Sequence, residues 1–255
     1  NFYTKEKKKK FNLNLKMNQI KPSKEILDLL SDKELRIFEK LQSIIKELNK
    51  VSNITRLTEG NDYWISQVYD SIWPFIENKN KKFDQKKYID IGSGGGFPGL
   101  AYAITHPNSE IYLIDSSNKK VKALNKIKTR LQLNNKISII NQRIESFAHE
   151  SSFRHKFDIC TTRAVASPDI VSEYILPLLN TEGVGILFCG KWTSEIEERL
   201  NKSLLLLKGS IQNIKKLTLP QNKGERNIIF IKPNCKCPDI YPREIGKPAK
   251  YPLGN

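Results

Sequence analysis

The residues that could do chemistry are concentrated in one run, DIGSGGGFPG, Asp90 to Gly99, entered from KKYI and left through LAYAI. A short β-branched stretch ending at Ile91 reads as a buried strand, the glycines after it as a bare turn, and Pro98 as suited to the first turn of a helix. Such a corner can cradle a nucleotide, because glycines let the main chain approach a ligand while unpaired N–H groups at the helix start face it. The Walker pattern needs a Gly-Lys-Ser/Thr ending, and none is present. The dinucleotide fingerprint begun at Gly92 needs glycine at position 97, where Phe97 stands. A nucleophile elbow on Ser93 needs glycine where Ile91 stands. What remains is Asp90 with Gly92, Gly94 and Gly96, spaced D-x-G-x-G-x-G. A glycine turn with no ligand is the plain alternative.

A second apolar run, EIYLID, ends in Asp115, about 20 residues beyond the glycines, the distance at which a carboxylate grips ribose hydroxyls. Asp115 with Ser116 and Ser117 could equally cap the helix that starts near Asn118, and both roles can hold at once. The D-x-G-x-G-x-G spacing resembles motif I of the class I methyltransferases that use S-adenosylmethionine.

The elements that must position these residues form a regular alternation. Strands are expected at 87–91, 110–115, 137–141, 157–162 and 184–189, with helices at 98–105, 118–133, 167–179 and 193–206 between or after them. The helix from 118 turns Val121, Leu124, Ile127 and Leu131 inward and lysines outward, as a helix lying on a sheet does. The fold class is therefore α/β, a parallel Rossmann-like sheet with helices on both faces, closed by an antiparallel pair at 211–219 and 227–231. Ligands of open α/β sheets sit outside the carboxyl ends of the strands, which brings in Ile144 and Glu145 after the third strand and Arg163 after the fourth. Ile144 could meet an adenine by apolar contact and Glu145 by a polar one, or the two could simply begin a helix.

Ahead of the sheet, Leu35, Phe38, Leu41, Ile45 and Leu48 share one helical stripe, and Ser31 with Glu34 is spaced as a capping box. Two helices are expected between Ser23 and Asn49, their stripe packing on the rest of the protein or, less simply, on a partner. Helical spacing resumes from Tyr63 to Ile76, with Pro74 limiting its far end. The expected organisation is a disordered basic tail over 1–22, a helical region over 23–76, the Rossmann-like domain over 77–232 and an extension over 233–255. Met17 is the only methionine, and the native start is expected there.

The chain has 255 residues and 43 Lys+Arg against 27 Asp+Glu, a formal charge of +16 with pI ≈ 9.6. That balance favours a polyanionic partner, nucleic acid first, unless the lysines only serve solubility. No apolar run approaches a membrane-spanning length, so no membrane partner is expected. Cys160, Cys189, Cys235 and Cys237 suit reduced thiols in a cytoplasm, and a lone C-x-C argues against zinc. His106, His149 and His155 lack mutual spacing for metal or triad work and read as loop or surface residues.

Beyond the glycine motif, NITRLT (53–58), the Asp-Ser pair at 70–71, LIDSS (113–117), QRIESF (142–147), TTRAVAS (161–167), GERN (224–227) and the closing YPREIGKPAKYPL resemble the RsmG family, also called GidB. The likeness runs from about Ser23 to Leu253, in order and with compatible spacing. It implies methyl transfer from S-adenosylmethionine to N7 of a guanine in 16S ribosomal RNA, with the RNA or the small ribosomal subunit as partner; a monomer is the expected working form. It also implies cofactor contacts at Gly92, Phe97, Ile144, Glu145 and Arg163, with Asp115, Ser116 and Ser117 beside the ribose. Arg163→Ala is then expected to lower methylation without unfolding the protein. The chain departs from the family at Ser66 and Gln67, where Arg-His is frequent, and at Cys189, where Lys precedes the glycine. A class I methyltransferase acting on a protein or small molecule, or a cofactor-binding RNA chaperone without catalysis, are the other classes.

Guanine N7 carries a lone pair and no proton, so transfer from a sulfonium needs alignment and no general base. No catalytic acid or base is nominated. Cys160 and Cys189 could serve cytosine chemistry, but each lies within or at the end of a strand, where burial is expected.

Overall fold

Alternate residues of each strand face opposite sides of a sheet, and here they sort into two apolar cores, one on each face. The computed structural model describes residues 24–76, 83–133 and 136–255, so the expectations for the basic tail and for Met17 lie outside the described residues. Seven strands form one sheet: β1 (Lys87–Ile91), β2 (Glu110–Asp115), β3 (Ile137–Asn141), β4 (Phe157–Arg163), β5 (Leu179–Cys189), β6 (Gly209–Thr218) and β7 (Glu225–Pro233). Their order is β3-β2-β1-β4-β5-β7-β6, with the first five parallel and β7 antiparallel to both β5 and β6. Chain order reverses between β1 and β4, the switch point at which α/β sheets open a crevice.

On one face, Tyr88, Ile111, Leu113, Ile159 and Ile186 meet the N-terminal helices α1 (Lys24–Leu27) and α2 (Asp32–Ser52) together with α5 (Gly99–Thr105) and α6 (Asn118–Leu131). On the other, Ile89, Ile91, Tyr112, Ile114 and Leu187 meet α7 (Ile144–Phe147), α8 (Pro168–Ile175), α9 (Ser194–Leu207) and the C-terminal extension through Cys237 and Tyr241. The α2 stripe is thus core: Phe38, Leu41, Ile45 and Leu48 are buried against the sheet side, and Ser31 with Glu34 makes both bonds of the capping box.

Between α2 and β1 lie α3 (Gly60–Tyr63), a π-helix over Trp64–Tyr69 and α4 (Asp70–Ile76). A π-turn widens the helix by one residue, which a 3.6-residue stripe cannot register, and Gln67, Asp70 and Ser71 are buried there. Pro74 sits inside α4 rather than ending it: lacking an N–H, it frees the carbonyl of Asp70 without stopping the turn. Strand β5 begins five residues early, at Leu179, because Leu179 pairs with Phe157 ahead of a register shift in β4. His106 is a correction to the surface reading. It is buried at the end of α5 and stacked on Tyr102 at 4.2 Å, and burial lowers its pKa below 6.5. Among the described residues no helix is long and apolar enough to cross a membrane.

Candidate functional site

The corner at the end of β1 is closed by main-chain bonds. The N–H groups of Gly92 and Ser93 both donate to the carbonyl of Ile114 (2.9 and 3.0 Å), Ser93 Oγ donates to the carbonyl of Asp90 (2.8 Å), and the N–H of Gly96 donates to that of Ser93 (2.7 Å). Gly92 has φ +70°, and a Cβ there would stand 2.5 Å from Cγ2 of Val165. At Gly96, with φ +96°, a Cβ would strike Leu100 at 2.3 Å. Glycine is needed at both positions for conformation and for room.

Asp90, buried beneath the turn, accepts the N–H of Gly99 (3.1 Å) on one oxygen and the Thr161 hydroxyl (2.9 Å) on the other, tying the glycine loop and α5 to β4. It is a brace. Burial pushes its carboxyl up from 3.8 to about 6 despite these hydrogen bonds. Between those values the folded protein holds a proton that the unfolded chain releases, so the unfolding free energy is expected to fall as pH rises through this window, by up to about 3 kcal/mol. Denaturant titrations of wild type and Asp90→Asn from pH 4 to 7 check it: the variant should lack that slope.

Asp115 is 5% exposed and both oxygens are engaged: Oδ2 accepts the N–H of Gly94 (2.9 Å), Oδ1 that of Ser117 (2.8 Å), and Lys120 Nζ lies 3.7 Å away. The bond to Ser117 is an Asx turn ahead of α6 and not the expected cap, since the start of α6 has no side-chain capping bond, and the same carboxylate stitches the glycine loop to β2. Asp115 also faces a cavity of ≈ 320 Å³, whose walls include Gly92, Ser116 and Ile144. Phe97 and Arg163 face instead a neighbouring cavity of ≈ 490 Å³, shared with Gly92, Gly94, Gln67 and Asp70. Gly92, Lys120 and Ala164 line both, so the two chambers adjoin at the switch point. Gly96 lies behind the loop against Leu100 and Leu124. Ser117 stands at the start of α6. The carboxylate of Glu145 is turned away from both cavities, gripped by Arg143 (2.6 and 3.2 Å) and by the N–H of Gly246 (3.1 Å). The C-terminal extension thereby closes over this end: Arg243 holds the buried Glu173 with two side-chain bonds (2.9 and 2.7 Å), and Ala249 joins the wall of the smaller cavity.

Arg163 is the centre of the larger cavity. It donates to the carbonyl of Ser66 (3.4 Å), to Ser71 Oγ (3.2 Å), to Asp70 Oδ2 (3.5 Å) and to Gln67 Oε1, and its guanidinium lies 5.9 Å from the Phe97 ring centre. Asp70, 3% exposed, receives Arg226 Nε at 3.2 Å on the same Oδ2, while its Oδ1 is buried with no hydrogen-bond partner. Burial raises the Asp70 carboxyl above 3.8 against the pull of Arg163 and Arg226, and burial lowers the Arg163 guanidinium below its usual range. Gln67 ties Arg163 to the 53–58 loop, donating to Thr55 Oγ1 at 2.9 Å, and Asn49 pins that loop through the N–H groups of Ile54 and Thr55. The sequence marks Gln67 only as a departure from the family and Arg226 only as part of the GERN motif; the π-turn and the antiparallel β7 bring them to Arg163. Cys189 also lines the cavity, its thiol pushed up to about 12 by burial and so unsuited to nucleophilic work near neutral pH. Among the described residues no group of three His, Cys, Asp or Glu side chains could hold a metal.

A protein of Prochlorococcus marinus strain MIT 9215 named ribosomal RNA small subunit methyltransferase G is 57% identical over 229 residues, covering 90% of this chain and 97% of that protein. One of the same name from Prochlorococcus marinus subsp. pastoris is 59% identical over 229 residues, covering 90% and 96%. Among solved structures, a ribosomal protein L11 methylase from Lactobacillus delbrueckii subsp. bulgaricus superposes with TM-score 0.50 at 13% identity, covering 67% of this chain and 79% of that one, a likeness of fold. The family model for GidB, rRNA small subunit methyltransferase G, matches residues 34–229, and the chain belongs to that family.

Proposed function

We propose that the protein transfers a methyl group from S-adenosylmethionine to N7 of a guanine in 16S ribosomal RNA. The observation that carries this reading is the pair of chambers meeting at a glycine wall, at the end of the sheet where such folds bind ligands. The residues fit the cofactor. Gly92 and Gly94 keep the wall bare, Asp115 and Ser116 offer a carboxylate and a hydroxyl to a ribose, Ile144 gives an apolar surface for a base, and Phe97 and Arg163 flank the passage to the larger chamber. Bound there, S-adenosylmethionine would supply a methyl carbon made electrophilic by its sulfonium, open to displacement by N7 with the thioether as leaving group.

No proton leaves N7, so the protein has no base to provide. Its work is alignment: the braced glycine loop fixes one reactant, and the Arg163–Asp70–Arg226 cluster fixes the wall against which the other rests. Lys119, Lys122 and Lys126 form an exposed stripe on α6, suited to phosphate contacts that position an RNA without reading its sequence. The working form is a monomer in this reading.

Incubation with tritiated S-adenosylmethionine and unmodified small ribosomal subunits, followed by mapping of the label, tests the proposal. Label is expected at a single guanine, with the strand scission after reduction that marks N7 methylation. Label confined to ribosomal proteins would refute it.

A further inference from the structure

The active chamber must do more than present N7. Adenine and guanine both carry N7, so alignment of that atom cannot separate the two purines, and phosphate contacts carry no base identity. Discrimination must come from the rest of the ring, where guanine alone has an exocyclic N2 amino group at the end remote from N7. An acceptor buried opposite the methyl-donating wall would recognise it.

Asp70, in the wall of the larger cavity, carries such an acceptor beneath the surface. Phe97 and Phe188 line the same cavity and give it apolar walls. Arg163 and Arg226 both occupy Oδ2 of Asp70, which leaves Oδ1 buried and unpartnered. A buried acceptor without a donor costs free energy in the empty protein and gains it when a ligand supplies the donor. Two arginines sharing one oxygen also fix the orientation of the carboxylate, so the free oxygen points one way.

We propose that this chamber receives the target guanine and that Asp70 Oδ1 accepts a hydrogen from its N2 amino group, making Asp70 the residue that selects guanine over adenine. The assignment rests on the guanine-N7 reading above. It also gives Asp70 a part in the rate. Methylation at N7 leaves a positive charge on the ring, the N2 hydrogens become stronger donors, and the bond to the carboxylate tightens towards the transition state. Adenine presents a C–H where guanine presents the amino group, and a carboxylate left facing it stays unpaired.

The test uses small subunits reassembled with 16S RNA ligated from two pieces, carrying either guanosine or inosine, which lacks only the N2 amino group, at the mapped position. Wild type is expected to be about ten-fold slower on inosine, and to bind inosine subunits more weakly in filter retention without donor. Asp70→Asn places an amide N–H where the acceptor was, since the arginines hold the carbonyl oxygen. It should be about ten-fold slower on guanosine, mainly in kcat, with the guanosine-to-inosine ratio falling to within about two-fold. Its affinity for S-adenosylmethionine in calorimetry should stay within about three-fold of wild type. Equal rates of wild type on guanosine and inosine, or an Asp70→Asn protein that keeps the wild-type ratio, would overturn the proposal. If Asp70→Asn does not fold, the wild-type ratio alone decides. Absence of label from guanosine subunits with wild type would instead sink the N7 reading beneath it.

Discussion

Arg163→Ala is expected to lower methyl transfer by about 10- to 100-fold and to cost about 3 kcal/mol of unfolding free energy. The first effect follows from losing charged hydrogen bonds at the wall shared with Phe97, each of which contributes about 1.5–3 kcal/mol. The second follows from burial. Arg163 is one of two cations on a carboxylate that is 3% exposed, and removing one partner of a buried pair leaves the other poorly compensated, a loss of about 3–5 kcal/mol before Arg226 offsets part of it. The stability cost adds to the expectation that this variant loses activity without unfolding: position at a strand end said nothing of Asp70, which waits at the start of α4 just beyond the π-helix. The double variant Arg163→Ala/Asp70→Asn should recover most of the stability, because the uncompensated charge is gone, and none of the activity. Thermal denaturation and initial rates on small subunits check both, and a double variant no more stable than Arg163→Ala would count against the charge argument.

Gly92→Asp should abolish measurable binding of S-adenosylmethionine while leaving a folded protein. Its φ of +70° costs a non-glycine residue about 1 kcal/mol, which aspartate tolerates better than most, and the 2.5 Å approach of its Cβ to Val165 falls on a side chain that is 40% exposed and can give way. The same position lines both chambers, so a side chain there fills the passage between them. Calorimetry should show at least about a 100-fold weaker affinity, with melting lowered by only about 2–4 °C. Affinity near wild type would mean that the donor sits elsewhere.

These effects depend on how far the architecture could be read from the chain. Strands β1, β2 and β3 have the expected bounds because each is a short β-branched run between turn residues, and α6 begins where expected because its lysines and leucines alternate with helical period. The helix expected over 167–179 stops at Ile175 and β5 starts at Leu179, because long-range pairing with Phe157 decides that boundary and no local propensity records it. The C-terminal extension is similar: Arg154 donates to the carbonyls of Ala148, Cys237, Pro238 and Tyr241, contacts spanning more than 80 residues for three of the four.

Composition, the spacing of Asp90 with its glycines, and the strand–helix alternation determined by themselves the fold class, the corner at which a ligand can sit and the basic character of the molecule. They could do so because glycine conformation, side-chain periodicity and net charge are local or additive properties. Only the tertiary structure decided that Glu145 serves Arg143 and Gly246, that Asp115 holds the loop it was expected to face, and that Gln67, Asp70 and Arg226 converge on Arg163. At Arg163 the assignment depends on side chains that meet from 93 to 156 residues apart in the chain, and a buried charge takes its role from its partner.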